Sequence, residues 1–210
     1  MKYFKEFISS ILAGICISIG GAVYLICSMK GLSVLGSYLF SVGLLLILIF
    51  NLHLYTGKIG YVFDNKPKFI IDLGIIFIGN LVGTIISGYS LRLTRLSTTL
   101  NEKVIEISTL KLEDNIWSIL VLSILCGFLV YAAVASWKNE KLPGIARFLM
   151  VVLCIGTFVA CGFEHVVANM FYFSFANVWS LKAIGYILLM GVGNSLGAFL
   201  IPLFQKLNVR

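Results

Sequence analysis

The sequence predicts an all-α membrane protein of six transmembrane helices arranged as two inverted three-helix repeats. Three observations predict it. Of the 210 residues, 60% are apolar and only 12% charged, with a mean hydropathy of +1.02, whereas a soluble domain is about one-quarter charged. Apolar stretches of about 20 residues, the length that crosses about 30 Å of hydrocarbon, recur along the chain. A short motif also returns after about half the chain. Together these exclude a soluble enzyme, a nucleic-acid module and a disordered chain. They turn the formal charge of +7 into a question of membrane sides.

Five stretches read as single spans: residues 8–29, 32–54, 69–91, 115–137 and 183–205, with Asp72 near the start of the third. A sixth, residues 148–181, carries no charge except Glu164, and as one straight helix its 34 positions would reach about 51 Å. It must therefore be interrupted, and Gly156 and Gly162 are the natural breaking points. The first stretch is too long for a cleavable leader and lacks a small-residue cleavage site. Cys16, Cys27, Cys126, Cys154 and Cys161 all lie in apolar stretches, where a thiol packs as a small hydrophobe, so no disulfide framework is expected.

Six spans put both termini on one side. That side collects Lys2, Lys5, Lys58, Lys66, Lys68, Lys138, Lys141, Arg147, Lys206 and Arg210. The other holds Lys30, Arg92, Arg95, Lys103, Lys111 and Lys182. The excess places both termini in the cytoplasm. The longest hydrophilic segment, residues 92–114, then falls outside as a short ordered excursion.

The repeat is read from Gly79-Asn80-Leu81-Val82-Gly83 in span three and Gly193-Asn194-Ser195-Leu196-Gly197 in span six, and from Ile11-Leu12-Ala13-Gly14 in span one and Ile124-Leu125-Cys126-Gly127 in span four, at offsets of 114 and 113. One domain, residues 1–210, thus divides into repeats of about 1–100 and 101–210. Three spans is an odd number, so the halves are inverted and the substrate path lies at their interface. The glycines also suit a plain packing face, and Asn80 and Asn194 suit polar glue between helices better than ligand contact.

An ionisable side chain within a span costs roughly 2.5–3.5 kcal/mol on insertion scales, so Glu164-His165 in the fifth span needs a reason. If the helix breaks at Gly162, free N–H groups of a new N-terminus lie at membrane depth and attract anions. His165 reads either as a path-lining group or as a buried neutral imidazole joining two helices. Glu164 reads as the cap of the second half-helix. Asn51-Leu52-His53-Leu54-Tyr55-Thr56-Gly57-Lys58 holds the corresponding place in the first repeat and can break in the same way. There Thr56 can turn its hydroxyl to a ring nitrogen or an anion, or cap a loop. Phe40, Leu44 and Phe158 lie at helical spacings that suit dewetting constrictions as well as ordinary packing.

The string Gly162-Phe163-Glu164-His165-Val166-Val167-Ala168-Asn169-Met170-Phe171 closely resembles the fifth-span signature of the formate/nitrite transporter family. Ala13-Gly14 with Gly20-Gly21, Leu54-Tyr55-Thr56-Gly57 and Gly79-Asn80-Leu81-Val82-Gly83 extend the resemblance along nearly the whole chain. The resemblance implies an aquaporin-like fold with broken second and fifth spans, in a multi-pass protein of the inner (plasma) membrane. It also implies a homopentamer with one pore per protomer, each passing small monovalent weak-acid anions without cofactor, metal or catalysis. Carried over by motif, His165 is the central pore histidine, Thr56 its hydrogen-bond partner, and Lys111 the lysine that lends positive charge near the pore centre. Phe40, Leu44 and Phe158 fall on the constrictions, and Glu164 and Asn169 belong to the signature.

Three departures alter the polar lining. His53 stands where the family usually has an acidic residue, Gly127 where span four usually has asparagine, and Lys58 directly follows the threonine-glycine pair. With these, the chain looks most like the hydrosulfide (HS⁻) branch, with formate, nitrite or a proton-coupled carrier as the alternatives within the family. An intramembrane protease lacks its G-x-S-x turn, since Ser195 sits inside the packing repeat. A metal transporter lacks H-x₃-H or C-x₂-C spacing.

Overall fold

The computed structural model describes residues 1–208, so Arg210 of the basic tally lies outside the described residues. The regular elements of those residues are all helices, with no strand. In chain order they form α1 (Lys2–Met29), α2 (Ser33–Leu39), α3 (Ser41–Ile49), α4 (Tyr55–Lys58), a 3₁₀ turn (Ile59–Asp64), α5 (Phe69–Arg92), α6 (Arg95–Glu113), α7 (Ile116–Lys138), α8 (Gly144–Ala160), α9 (Val166–Ala176) and α10 (Leu181–Asn208). By length and composition α1, α5, α7 and α10 can each cross a membrane. Two other apolar runs are interrupted. One passes from α2 through Phe40 into α3, stops near Asn51 at φ +51°, and resumes in α4. The other is α8 followed by α9.

The two runs stop for local reasons. Gly162, at φ +69°, takes a left-handed conformation that a side chain would oppose, and it ends α8 at Ala160. Gly156 does not interrupt the helix: it lies inside α8, and the ring of Tyr38 occupies the space where its Cβ would be. Close packing, not backbone freedom, explains that glycine. The hydrophilic segment after α5 is the ordered helix α6, which turns Leu100, Val104 and Ser108 into the bundle.

The repeated motif marks two equivalent helix crossings. Where α1 meets α5, Gly14 lies against the Asn80 carbonyl and Gly83 against the Ile11 carbonyl. Where α7 meets α10, Gly127 lies against the Asn194 carbonyl and Gly197 against the Ile124 carbonyl. A Cβ at any of the four would strike backbone, so these glycines set how closely the helices approach. Gly127, read as a departure in the polar lining, is also the seat for α10.

Burial is arranged around α9, whose every residue from Val166 to Ala176 is buried. The outer surface exposes Leu12, Ile19, Ile78, Ile86, Val121, Leu188 and Val192. Polar side chains are drawn inward instead: Thr56, Asn80, Glu164, His165, Asn169 and Asn194 are all buried. All five cysteines are free.

Candidate functional site

Two asparagines build the centre. Asn80 Oδ1 accepts from the Tyr55 N–H at 2.8 Å, while its Nδ2 donates to the carbonyls of Ser10 (2.8 Å) and His53 (2.9 Å). Asn194 repeats the arrangement: Oδ1 accepts from the Val166 N–H at 2.9 Å, and Nδ2 donates to the carbonyls of Ser123 and Glu164, each at 2.8 Å. Each amide satisfies polar backbone groups that an interrupted buried helix would otherwise leave unpaired. Each also brackets one residue, Leu54 in the first clamp and His165 in the second, and holds it at the end of a half-helix.

His165 is the N-cap of α9, with Nδ1 accepting the Ala168 N–H at 3.1 Å. The capping role expected of Glu164 therefore belongs to His165, whose ring reaches back over the first turn. A nitrogen that accepts cannot carry the proton of a neutral imidazole, so that proton sits on Nε2. Nε2 faces Thr56 Oγ1 at 2.9 Å and donates to it. The Thr56 hydroxyl hydrogen is then left for another acceptor.

Around this pair lies an apolar sleeve. The His165 ring stacks on Phe158 with centroids 5.5 Å apart, and Phe158 meets Phe40 edge-on at 5.9 Å. A void of about 10 Å³ is bounded by Ile17, Phe40, Leu44, Leu54, Val130, Ile155, Phe158 and His165. Beyond Phe40 and Phe158 opens a cavity of about 460 Å³ reaching α6. Beyond Leu44 and Leu54 opens one of about 90 Å³ beside α4 and the end of α7. Cavity, void and cavity share these walls and lie in series through the bundle.

Lys111 and Glu164 line the larger cavity, but the ammonium is not a free charge. Its Nζ is 2.7 Å from Glu164 Oε2, and the two side chains are only 12% and 4% exposed. Asn169 Nδ2 donates to the same oxygen at 2.6 Å. The lysine expected to lend positive charge near the pore centre thus stands directly against a carboxylate. In the sequence Leu54 stands only in the threonine-glycine motif and Lys138 only among the basic residues of one side, and Val130 carries no signal. An offset of 111 residues pairs Leu54 with His165 and would have found the first of them.

A family model described as "Formate/nitrite transporter" matches residues 1–205. The "Uncharacterized transporter YrhG" of Bacillus subtilis (strain 168) is 33% identical over 182 residues, which is 79% of this chain and 67% of that protein. The chain spans about two thirds of the length of the curated relatives it matches. Among solved structures, an "FNT family ion channel" superposes with a TM-score of 0.85 over 99% of this chain and 90% of that one, at 22% identity. A "Pentameric formate channel with formate bound" gives 0.80 over 100% and 98%, at 21% identity. At such identities the likeness is one of fold. With a family match over almost its whole length and membrane-length apolar helices, the chain is a membrane protein that belongs to the formate/nitrite transporter family.

Proposed function

We propose that the chain is a pore for small monovalent anions of weak acids, hydrosulfide first among them, built from six spans in two inverted repeats of residues 1–100 and 101–210. In this reading α2–α4 and α8–α9 are the broken second and fifth spans, α6 is external, and both termini face the cytoplasm from the inner (plasma) membrane. The matched crossings of α1 with α5 and α7 with α10, and the matched clamps of Asn80 and Asn194, support the duplication.

The observation that carries the proposal is the His165–Thr56 hydrogen bond, buried beside a void that lies in series between two cavities. Phe40 and Phe158 on one side, and Leu44 and Leu54 on the other, strip water from a passing ion and exclude large hydrated ones. Within the sleeve the Thr56 hydroxyl donates to the anion while His165 Nε2–H supports its oxygen. A weak-acid anion that takes a proton from water at the vestibule crosses the constriction as the neutral acid and returns the proton to water on the far side. Lys111, Glu164 and Asn169 shape the larger vestibule as a paired cluster.

HS⁻ comes first because the departures at His53, Gly127 and Lys58 make the chain look most like the hydrosulfide branch. The void of about 10 Å³ has room for at most about one water molecule. HS⁻ is larger than water and passes only as the surrounding side chains move, and formate and nitrite need a larger movement. Formate is the second reading, since the fold relative above is a formate channel with formate bound. The pentameric assembly of that relative also supports a homopentamer, with the exposed apolar faces partly covered by neighbouring copies. A hydrolase reading gains nothing, because Ser195 Oγ bonds to the Gly191 carbonyl and the Tyr55 hydroxyl.

Flux of HS⁻, formate, nitrite and chloride measured in parallel in proteoliposomes tests the proposal. We expect HS⁻ to pass fastest and chloride slowest, from particles whose native mass in detergent is that of a pentamer. Equal flux of all four would remove the sleeve as a selective element, and saturation at low concentration would favour a carrier.

A further inference from the structure

Lys58, the cation that follows the threonine-glycine pair, has no part in the path described so far. It lines the cavity of about 90 Å³ beside Leu44 and Leu54, together with Lys138, Asn51 and Trp137, and no acidic residue lines that cavity. Among the described residues neither lysine is in a salt bridge. Lys138 is steered instead by the face of Tyr61, with Nζ 3.8 Å from the ring centre, an interaction that orients a cation without neutralising it. The carboxylate whose field reaches Lys58 is Glu6, itself held by Lys2 at 3.6 Å.

The opposite cavity is built the other way. One lysine, Lys111, shares it with three carboxylates, Glu113, Asp114 and Glu164, and is already paired with the last. The repeat explains the contrast. The clamps align the His53 carbonyl with that of Glu164, and Tyr55 with Val166. Five residues beyond Glu164 stands Asn169, the amide on its carboxylate; five beyond His53 stands Lys58. The first repeat therefore has neither carboxylate nor amide at these places, and adds a cation.

We propose that Lys58 and Lys138 form an anion-loading site at the mouth beside α4, so that small monovalent anions are captured more strongly from that side than from the carboxylate-rich side. The inference rests on the anion-pore reading above. Two ammonium groups at a narrow mouth with apolar walls focus their field into it, and each can donate charge-assisted hydrogen bonds to an arriving anion. Three carboxylates around the wider mouth oppose the same anion there.

The test uses formate as probe, with the protein inserted in one orientation in planar bilayers. Initial flux is read against formate concentration on each face, first at about 0.01 M ionic strength, where charges act over about 30 Å, and then at higher salt. For the parent we expect half-saturation at a concentration about tenfold lower on the Lys58 face, the gap narrowing with salt. K58Q/K138Q should lose the difference by weakening the Lys58 face alone, and K58R/K138R should keep it. Equal half-saturation on both faces of the parent, or a difference that persists in K58Q/K138Q, overturns the loading site and leaves the pore reading intact. A parent that passes no formate and no HS⁻ overturns both.

Discussion

Thr56 Oγ1 and His165 Nε2 lie 2.9 Å apart although 109 residues separate them in the chain, and both side chains are buried. The direction of this bond is fixed by the Ala168 N–H on the other ring nitrogen. Thr56→Val keeps the shape but removes the acceptor, stranding a buried N–H at a cost of about 1–3 kcal/mol. We expect lower thermal stability and strongly reduced anion flux, with Thr56→Ser restoring most of both. Full flux in the valine variant would take Thr56 out of the path.

Replacing the ring separates proton chemistry from hydrogen bonding. An asparagine amide can donate but does not titrate near neutrality. The ring is already neutral, with Nδ1 accepting and Nε2 donating, so His165→Asn should conduct with the parent's pH profile between about pH 5 and 8, while His165→Phe closes the path. A profile that flattens in the asparagine variant would show that the ring takes up a proton during passage. Flux is to be expressed per assembled particle.

The Lys111–Glu164 pair supports a sharper expectation than a loss of attraction. Removing one partner of a buried pair costs about 3–5 kcal/mol, because the other charge stays buried alone. Lys111→Met should lower the unfolding temperature in detergent, and Lys111→Met with Glu164→Gln should recover most of it. Thermal melts of the two single variants and the double variant give the coupling directly. Additive losses would mean that the 2.7 Å contact carries no energy.

Each clamp should be individually necessary. Asn194→Ala and Asn80→Ala each delete three hydrogen bonds and leave backbone groups buried without partners, a loss of about 3 kcal/mol or more. We expect poor assembly from both, measured as yield of monodisperse particles. Normal assembly of either variant would mean that its half-helix is held by other contacts.

Phe158 stacks on His165 and meets Phe40, so its removal opens one side of the sleeve. Phe158→Ala costs about 3–5 kcal/mol of packing and should raise formate and nitrite flux relative to HS⁻. An unchanged ratio would place size selection at Leu44 and Leu54 instead.

The sequence showed most where a residue's role depends on its neighbours in the chain. The matching G-N-x-x-G strings and the glycine before Glu164-His165 are local patterns, and the structure gives Asn80 and Asn194 matching partners and Gly162 a positive φ. Gly156 carried the same local signal without the break, since only the arrival of Tyr38 from α2 distinguishes a packing glycine from a breaking one. The pairing of Lys111 with Glu164 was hidden for a related reason. It depends on how α6 lies across α9, which local sequence does not specify for two residues 53 positions apart. Carboxylates suit helix starts, which points to Glu164 as the cap, but a ring nitrogen one position later reaches the Ala168 N–H.

The short helix α9 bears on how the protein is made. At 1.5 Å per residue its 11 residues rise about 16 Å, roughly half the hydrocarbon thickness. A segment that short cannot be released into lipid as an independent unit during synthesis, and its first N–H groups need a partner. The side chain that accepts from Val166 is Asn194, which belongs to α10, a helix translated after α9. Until α10 leaves the ribosome, the Val166 N–H and the Glu164 carbonyl have nothing from Asn194, and the centre of the bundle stays unfinished. Insertion is thus completed only when α10 arrives, and a chain truncated before residue 194 would retain most of its apolar surface yet remain a substrate for membrane quality control.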